Sequence, residues 1–448
     1  MKEAPTPQYA AVADLRIGMF IHLEGGWLAH PFPLSNFKLN SAQQIATLRS
    51  LGLTSVRWSP AKSDLEARTG ACVVPDSSAS AAEDRALGTP AGPSSLAETA
   101  TRRAQPIETP EPAARRERRL ALAAQREAMH HCQRQFAEAS SACKTLTGLV
   151  PTQPQIAREA SETLTRAFAD KMVSHGETCI RLLGEVAGDK AAAHLVNVTV
   201  ISLLLGRSFG LAEAELFDLG VGAMLHDIGK LSLPERLRHC EDHFTPSESL
   251  VYQEHVAHGV AHARRMGLAA GARKIIEQHH ECADGSGFPL RLGSDRMTVG
   301  ARIVALVNRY DNLCNPNVPS RALTPHEALA LLFAQGKSKF DATILGGFVK
   351  MMGVYPPGSV IQLTDERYAL VVAVNASRPL KPRVLVHDRL VAPDEALLID
   401  LEAAPRLGIR RSVKPHALPR DALDYLSPRP RVAYFFEPAR ELETEATG

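Results

Sequence analysis

Three things are scarce in this sequence, and each scarcity removes a class of explanation. Neither sign of charge is in excess, with 51 Lys plus Arg against 49 Asp plus Glu in 448 residues. No global field therefore recruits a nucleic-acid polymer, and an anionic ligand has to be held by a local site. The seven cysteines are scattered without a Cys-x-x-Cys pair, which is not the framework of a disulfide-stapled secreted chain and fits a reducing cytoplasm. Long hydrophobic runs are missing as well. The longest, Val198 to Leu205, is far short of a membrane span, and the opening MKEAPTPQYA lacks the basic-then-apolar pattern of a secretory signal. The expectation is a cytoplasmic protein with no membrane span.

What is present is organised in blocks. The length exceeds that of one ordinary domain. Residues 1–60 alternate short apolar runs with turn residues and contain a helix framed by Ser41 and Gly52, which predicts a small N-terminal α+β domain. Residues 61–113 are rich in Ala, Ser, Pro, Thr and Glu without apolar periodicity, the composition of a disordered linker or insertion. Residues 114–150 read as one long helix with a charged, solvated face, a surface suited to a homodimer or a signalling protein partner. Residues 151–355 are dominated by helical patterns, and 356–448 switch to short β-type runs such as YALVVAV. The fold class predicted is mainly α: an all-helical domain between the small α+β domain and a small β-rich C-terminal module.

Histidine directs the search for chemistry. More than half of the seventeen histidines lie between His194 and His280, and imidazole is the commonest metal ligand. The central motif is HDIGK, His226 to Lys230, in which a neutral nitrogen and a carboxylate stand side by side. A carboxylate at Asp227 can also bridge two cations. Upstream lies His194, and downstream lie His255 in EHVAHG and the pair His279 and His280 in QHHECADGSGFP. Any one of these histidines alone reads as a satisfied core or surface residue. Together they offer five nitrogens around one carboxylate, each in an apolar-periodic segment where an imidazole needs a partner. Their neighbours His258 and His262 continue one helical face and read as solvated or supporting residues.

In order and spacing, His194, HDIGK, His255 with Gly259 four residues on, and HHECADGSGFP resemble the HD-GYP family over roughly residues 151–352. ADLRIGMFIHLEGGWLAHPF is similar to the domain of unknown function that often precedes such domains. The resemblance implies an HD-type helical fold and two divalent metal ions, usually iron or manganese. It also implies hydrolysis of the bacterial second messenger cyclic di-GMP to pGpG or GMP. Carried over residue by residue, it makes His194, His226, Asp227, His255, His279, His280 and the position of Asn308 the metal set. Lys230 becomes a catalytic cation beside Asp227. The family's Gly-Tyr-Pro signature is Gly287, Phe288 and Pro289 here, and with Arg321 these would contact substrate.

Three departures bear on activity. Asn308 stands where the family has an aspartate ligand, keeping an oxygen donor without the charge. Lys190 occupies the place of a third-metal glutamate, which limits the expected site to two ions. In CNPNVPSRALTPHEAL, Asn317 and Ser320 stand where two cations that help bind ligand phosphate are usual. Two functions follow, an active cyclic di-GMP phosphodiesterase and a degenerate module that binds nucleotide or partner without turnover.

Overall fold

In the computed structural model the described residues are 8–23, 36–39, 42–50, 53–60, 63, 113–174, 177–184, 189–238, 244–335, 338–375 and 377–439. Almost all of the expected linker 61–113 falls outside them. The chain divides into two compact units, and the described residues of the first end at Arg118.

In the first unit, strands β1 (Gln8–Ala11), β2 (Phe20–His22) and β3 (Asn36–Lys38), helix α1 (Ala42–Ser50) and strand β4 (Ser55–Trp58) follow one another. The strands form an antiparallel sheet in the order β1-β4-β2-β3. Ile21, Leu39, Leu48 and Val56 are buried. This is the expected small α+β arrangement.

The second unit is mainly helical. Its elements are α2 (Ala113–Leu149, from Arg119 on), α3 (Pro154–Ser174), β5 (Thr178–Leu182), α4 (Lys190–Ser208), α5 (Glu213–Leu225), α6 (Pro246–Met266), α7 (Ala270–Gln278), α8 (Val299–Cys314), α9 (Pro325–Gln335) and α10 (Ala342–Met352). Then come β6 (Val360–Leu363), β7 (Tyr368–Asn375), β8 (Arg383–Val386), β9 (Ile399–Asp400), β10 (Ile409–Ser412), α11 (Arg420–Leu426) and β11 (Tyr434–Pro438). Helix starts follow local chemistry. Asp189 caps α4 by accepting from the N–H groups of Ala191 and Ala192, and Thr245 with Glu248 makes a capping box on α6. Gly267, at φ 72°, ends α6 in the left-handed region. Helix α4 has the length and hydropathy of a membrane span, but most of it is buried inside the protein as the central core helix.

The long helix α2 also has a buried side, where Cys132, Phe136, Ala139, Cys143 and Leu146 line the main core. The segment after residue 356 is β-rich as expected, and it shares its sheet with a strand from outside the segment. Its sheet runs β10-β6-β7-β5-β11, with β8 paired to β7 and β9 to β8, so β5, taken from within the expected all-helical segment, lies between β7 and β11. One face of the sheet packs Val360, Leu370 and Phe436 into the helical core, and the other packs Ile361, Val371 and Val384 into a second cluster. Both faces being covered, β7 reads as a continuous apolar run, and only pairing between distant segments could reveal its neighbours.

A close backbone approach in the helical unit positions the candidate site. After α5 the chain passes through His226 and Asp227 into a 3-10 turn, Ile228–Ser232, which packs on α6. A Cβ at Gly229 would overlap the His255 carbonyl oxygen and the Gly259 nitrogen. Gly229 and Gly259 thus bring the Asp227 turn and the His255 helix together backbone to backbone. Gly229→Ala should cost about 3 kcal/mol of stability, the upper range for overpacking against atoms that cannot yield. Urea unfolding measures this, and a cost below about 0.5 kcal/mol, the range of surface changes, would contradict the close approach.

Candidate metal centre

Asp227 lies at the centre, and its two oxygens face different histidines. Oδ2 is 3.7 Å from His194 Nε2 and 3.4 Å from His226 Nε2. Oδ1 is 3.7 Å from both His255 Nε2 and His279 Nε2. His194, His226 and Asp227 make one cluster of ligand atoms, and Asp227, His255, His279 and His280 make a second, with Asp227 common to both. Helices α4, α5, α6 and α7 each deliver part of the set, with His226 at the end of α5 and His279 at the end of α7.

Hydrogen bonds on the far side of the rings aim them. Nδ1 of His226, His255 and His279 lies 2.7, 2.5 and 2.8 Å from the carbonyl oxygens of Ala223, Tyr252 and Ile276. Each carbonyl accepts from a protonated Nδ1, leaving the Nε2 lone pair turned inward. Burial pulls His255 down to about 3 and lowers His226 and His280 as well, so these imidazoles are neutral and able to act as ligands. Burial alone would raise the Asp227 carboxyl, but Lys230 and His226 hold it well below the usual carboxylate range. The Lys230 ammonium donates to Asp227 Oδ2 at 2.6 Å, and burial is outweighed by that carboxylate, so Lys230 stays charged. Lys230 reaches Asp227 across the 3-10 turn, three residues on.

The donors fit divalent cations. Asp227 Oδ1 and His280 Nε2 are buried with no hydrogen-bond partner, an arrangement whose cost is high unless something else satisfies them. Neutral imidazoles around one carboxylate suit iron, manganese or zinc better than calcium or magnesium.

The other expected residues are distributed unevenly. Asn308 and Arg321 line the same cavity of about 1520 Å³ as His194, Asp227 and Lys230. Asn308 is buried, and its Oδ1 accepts from Asn312 Nδ2 at 2.6 Å. Phe288 also lines the cavity and stacks on His280 with centroids 4.5 Å apart, so one of its faces is committed to holding a candidate ligand. Gly287 and Pro289 are not on the cavity wall. A Cβ at Gly287 would overlap the backbone of His280 to Cys282, so the glycine serves the loop's approach to the histidine pair rather than an approach to ligand. His258 is exposed near Glu254, and His262 bonds Ser232.

Sequence reasoning missed the groups that hold the candidate ligands. Asp311 Oδ2 accepts from His194 Nδ1 at 2.6 Å, and its Oδ1 accepts from Asn197 and Asn315 at 2.8 and 2.9 Å. The signal was a carboxylate three residues after Asn308 on a buried helix face, and an amide three residues after His194. Glu281, also buried, accepts from the N–H groups of Leu290 and Leu292 and so pins the loop after the histidine pair. Asp311→Asn keeps an acceptor but loses the charge that orients His194. Metal affinity should fall about 10-fold, the lower end for such supporting groups. Titration against a metal chelator measures this, and an unchanged affinity would remove Asp311 from that role.

Comparison with known proteins places this geometry in a class. Residues 187–344 match the HD domain family, and residues 9–161 match the domain of unknown function DUF3391. The chain is thus an HD-domain protein with an N-terminal DUF3391, and the HD fold is that of metal-dependent phosphohydrolases. The DUF3391 match runs past the expected boundary at residue 60, through α2 and into α3.

Among individual relatives, the chain is 26% identical over 382 residues to a cyclic di-GMP phosphodiesterase of Pseudomonas aeruginosa, covering 84% of each chain. It is 33% identical over 197 residues to a 3'3'-cGAMP-specific phosphodiesterase of Vibrio cholerae, covering 44% of this chain and 35% of that one. It is 31% identical over 153 residues to the cyclic di-GMP phosphodiesterase response regulator RpfG of Xanthomonas campestris, covering 34% of this chain and 40% of the relative. These last two relatives are therefore matched over less than half of their length. Among solved structures, an HDG"Y"P protein of Bdellovibrio bacteriovorus aligns over 77% of this chain and 98% of its own, at 13% identity and a TM-score of 0.39.

Proposed function

We propose that this protein is a metal-dependent phosphodiesterase that hydrolyses cyclic di-GMP to pGpG or GMP. The observation that carries the reading is the division of Asp227, one oxygen toward His194 and His226 and the other toward His255 and His279. In this reading His194, His226 and Asp227 hold one divalent cation, and Asp227, His255, His279 and His280 hold a second, as iron or manganese. Cations bound there supply Lewis-acid stabilisation of phosphodiester oxygens and activation of water. The chain's own residues do the rest. Lys230 keeps Asp227 ionised and adds a fixed positive charge where the leaving oxygen develops charge. Tyr252, whose ring lies 5.5 Å from the Lys230 nitrogen, backs that ammonium. Phe288 closes the His280 side of the cavity and fixes that ring. The relatives' activity on cyclic dinucleotides supports the substrate class.

Asn308 favours a second reading, in which the centre binds cyclic di-GMP with little or no turnover. One carboxylate then balances two cations, which weakens occupancy of at least one site. A single set of measurements separates the readings. Protein purified without oxygen should hold at most two metal ions per chain, because Lys190 brings a cation to the third-ion position, its ammonium bonded to Pro316 O and Asn317 Oδ1. With Fe(II) or Mn(II) it should hydrolyse cyclic di-GMP. Binding without turnover would establish the second reading, three ions would refute the assignment of Lys190, and neither binding nor turnover would remove cyclic di-GMP as the ligand. Parallel assays with 3'3'-cGAMP identify the preferred base.

A further inference from the structure

The cavity extends from Asp227 to a part of the chain that no sequence motif connects with the metal centre. Arg429, Pro430 and Arg431, just before β11, lie on its wall together with Lys190 at the start of α4. This C-terminal stretch is tied directly to the helices of the centre. The Val432 N–H donates to Asn315 Oδ1 at 2.9 Å, and the Val432 carbonyl accepts from Asn197 Nδ2 at 3.1 Å and Asn315 Nδ2 at 2.9 Å. Those two amide nitrogens also donate to Asp311 Oδ1, the carboxylate whose other oxygen holds His194. The backbone beside Arg431 is therefore positioned by the same network that positions a candidate metal ligand.

The charges gathered there make no ion pair at contact distance among the described residues. Arg429 and Arg431 are exposed and make no ion pair with another described residue. Among the described residues, Lys190 donates to the Pro316 carbonyl and the Asn317 amide oxygen. Burial and the repulsion of Arg431, partly offset by the attraction of Asp311, lower Lys190 to about 8, so the two cations sense one another. Cationic side chains outnumber carboxylates on the cavity wall, and Asp227 and Asp311 are already engaged by Lys230 and His194. An anion between Lys190 and Arg431 would relieve their repulsion. Asn317, which the sequence showed in place of a cation, serves here to seat a cation supplied by another helix.

We propose that Lys190 and Arg431, with Arg429 beside them, form an anion subsite for the phosphate of the cyclic dinucleotide that is not being cleaved. A cyclic dinucleotide carries two phosphodiesters on opposite sides of one ring, so seating one of them fixes where the other falls. The subsite selects two-phosphate cyclic substrates and orients the second phosphodiester at Asp227. The proposal rests on the phosphodiesterase reading given above.

The test uses the full chain loaded with Mn(II), cyclic di-GMP, and bis(p-nitrophenyl) phosphate, which has one phosphodiester and nothing to place in the subsite. For Arg431→Ala and for Lys190→Ala, the KM for cyclic di-GMP should rise about 10-fold or more, the loss expected for one charged hydrogen bond to phosphate. Their kcat should change much less, as for a group that binds ground state and transition state alike. The loss of kcat/KM should be at least about 10-fold greater for cyclic di-GMP than for the single-phosphate ester. Arg431→Lys should recover most of the affinity. If the parent binds cyclic di-GMP without turnover, the same ratio is read in Kd by calorimetry. A parent that binds cyclic di-GMP while Arg431→Ala leaves its affinity within twofold, or loses both substrates equally, overturns the subsite alone. A parent that cleaves the single-phosphate ester but does not bind cyclic di-GMP overturns the substrate reading and the subsite with it.

Discussion

Asp227→Ala should strip the protein of bound divalent metal and lower cyclic di-GMP turnover by more than about 100-fold, beyond the upper range for residues that only orient a ligand. Asp227 is the one carboxylate shared by both clusters of ligand atoms, and without it each cluster consists of imidazoles alone. Nothing would then balance the charge of a cation in a buried site. The substitution also leaves the half-buried Lys230 without its partner, a change whose upper limit is about 3–5 kcal/mol, the cost of breaking a fully buried pair. Loss of activity could then reflect loss of fold. Asp227→Asn removes the charge, keeps the volume and one oxygen, and should remain folded by circular dichroism while still losing metal. Elemental analysis of both variants is the deciding measurement. A folded Asp227→Asn protein with the parent's full metal content would mean that the carboxylate does not bridge the two clusters.

The converse experiment adds charge. Asn308→Asp should raise phosphodiesterase activity roughly 10-fold or more, in keeping with the size of coordination-shell effects. Position 308 lines the cavity on α8, one turn before the Asp311 that orients His194, and its Oδ1 already accepts from Asn312 Nδ2. A carboxylate has the shape of the amide and can keep that bond, so the change is close to one of charge alone. The site is 3% exposed, and a new buried carboxylate without a cation is unfavourable. The variant should therefore be less stable than the parent when metal is removed and gain more in melting temperature when Mn(II) is added. Asp227→Ala in the same background should abolish the gain in activity. Unchanged metal content and unchanged turnover in Asn308→Asp would show that position 308 does not serve the cations.

Chemistry was legible in the sequence where it is carried by residue type at close spacing. His226 beside Asp227, the adjacent pair His279 and His280, and Lys230 three residues after Asp227 are local facts, and the structure brings all of them together with His194 and His255. The role of Gly287 was misread because a glycine signals only that some atom approaches closely. Here that atom belongs to the backbone of the histidine pair and not to a ligand. Asp311 was passed over for a related reason. A carboxylate on a buried helix face reads equally as ligand or support, and only the 2.6 Å contact to His194 Nδ1 decides between them.

The sequence by itself determined the helical character of the central segment, the candidate metal-binding side chains and the missing charge at Asn308. Each of these resides in a single residue or in a period of a few residues. Only the tertiary structure decided that β5 joins the C-terminal strands, that one Asp227 oxygen faces each pair of histidines, and that Arg431 stands on the wall of the same cavity as Lys190. The reason is one of range. Strand partners here lie as far apart in the sequence as Thr178 and Pro438, and which side chains meet is set by the packing of whole elements rather than by any local preference.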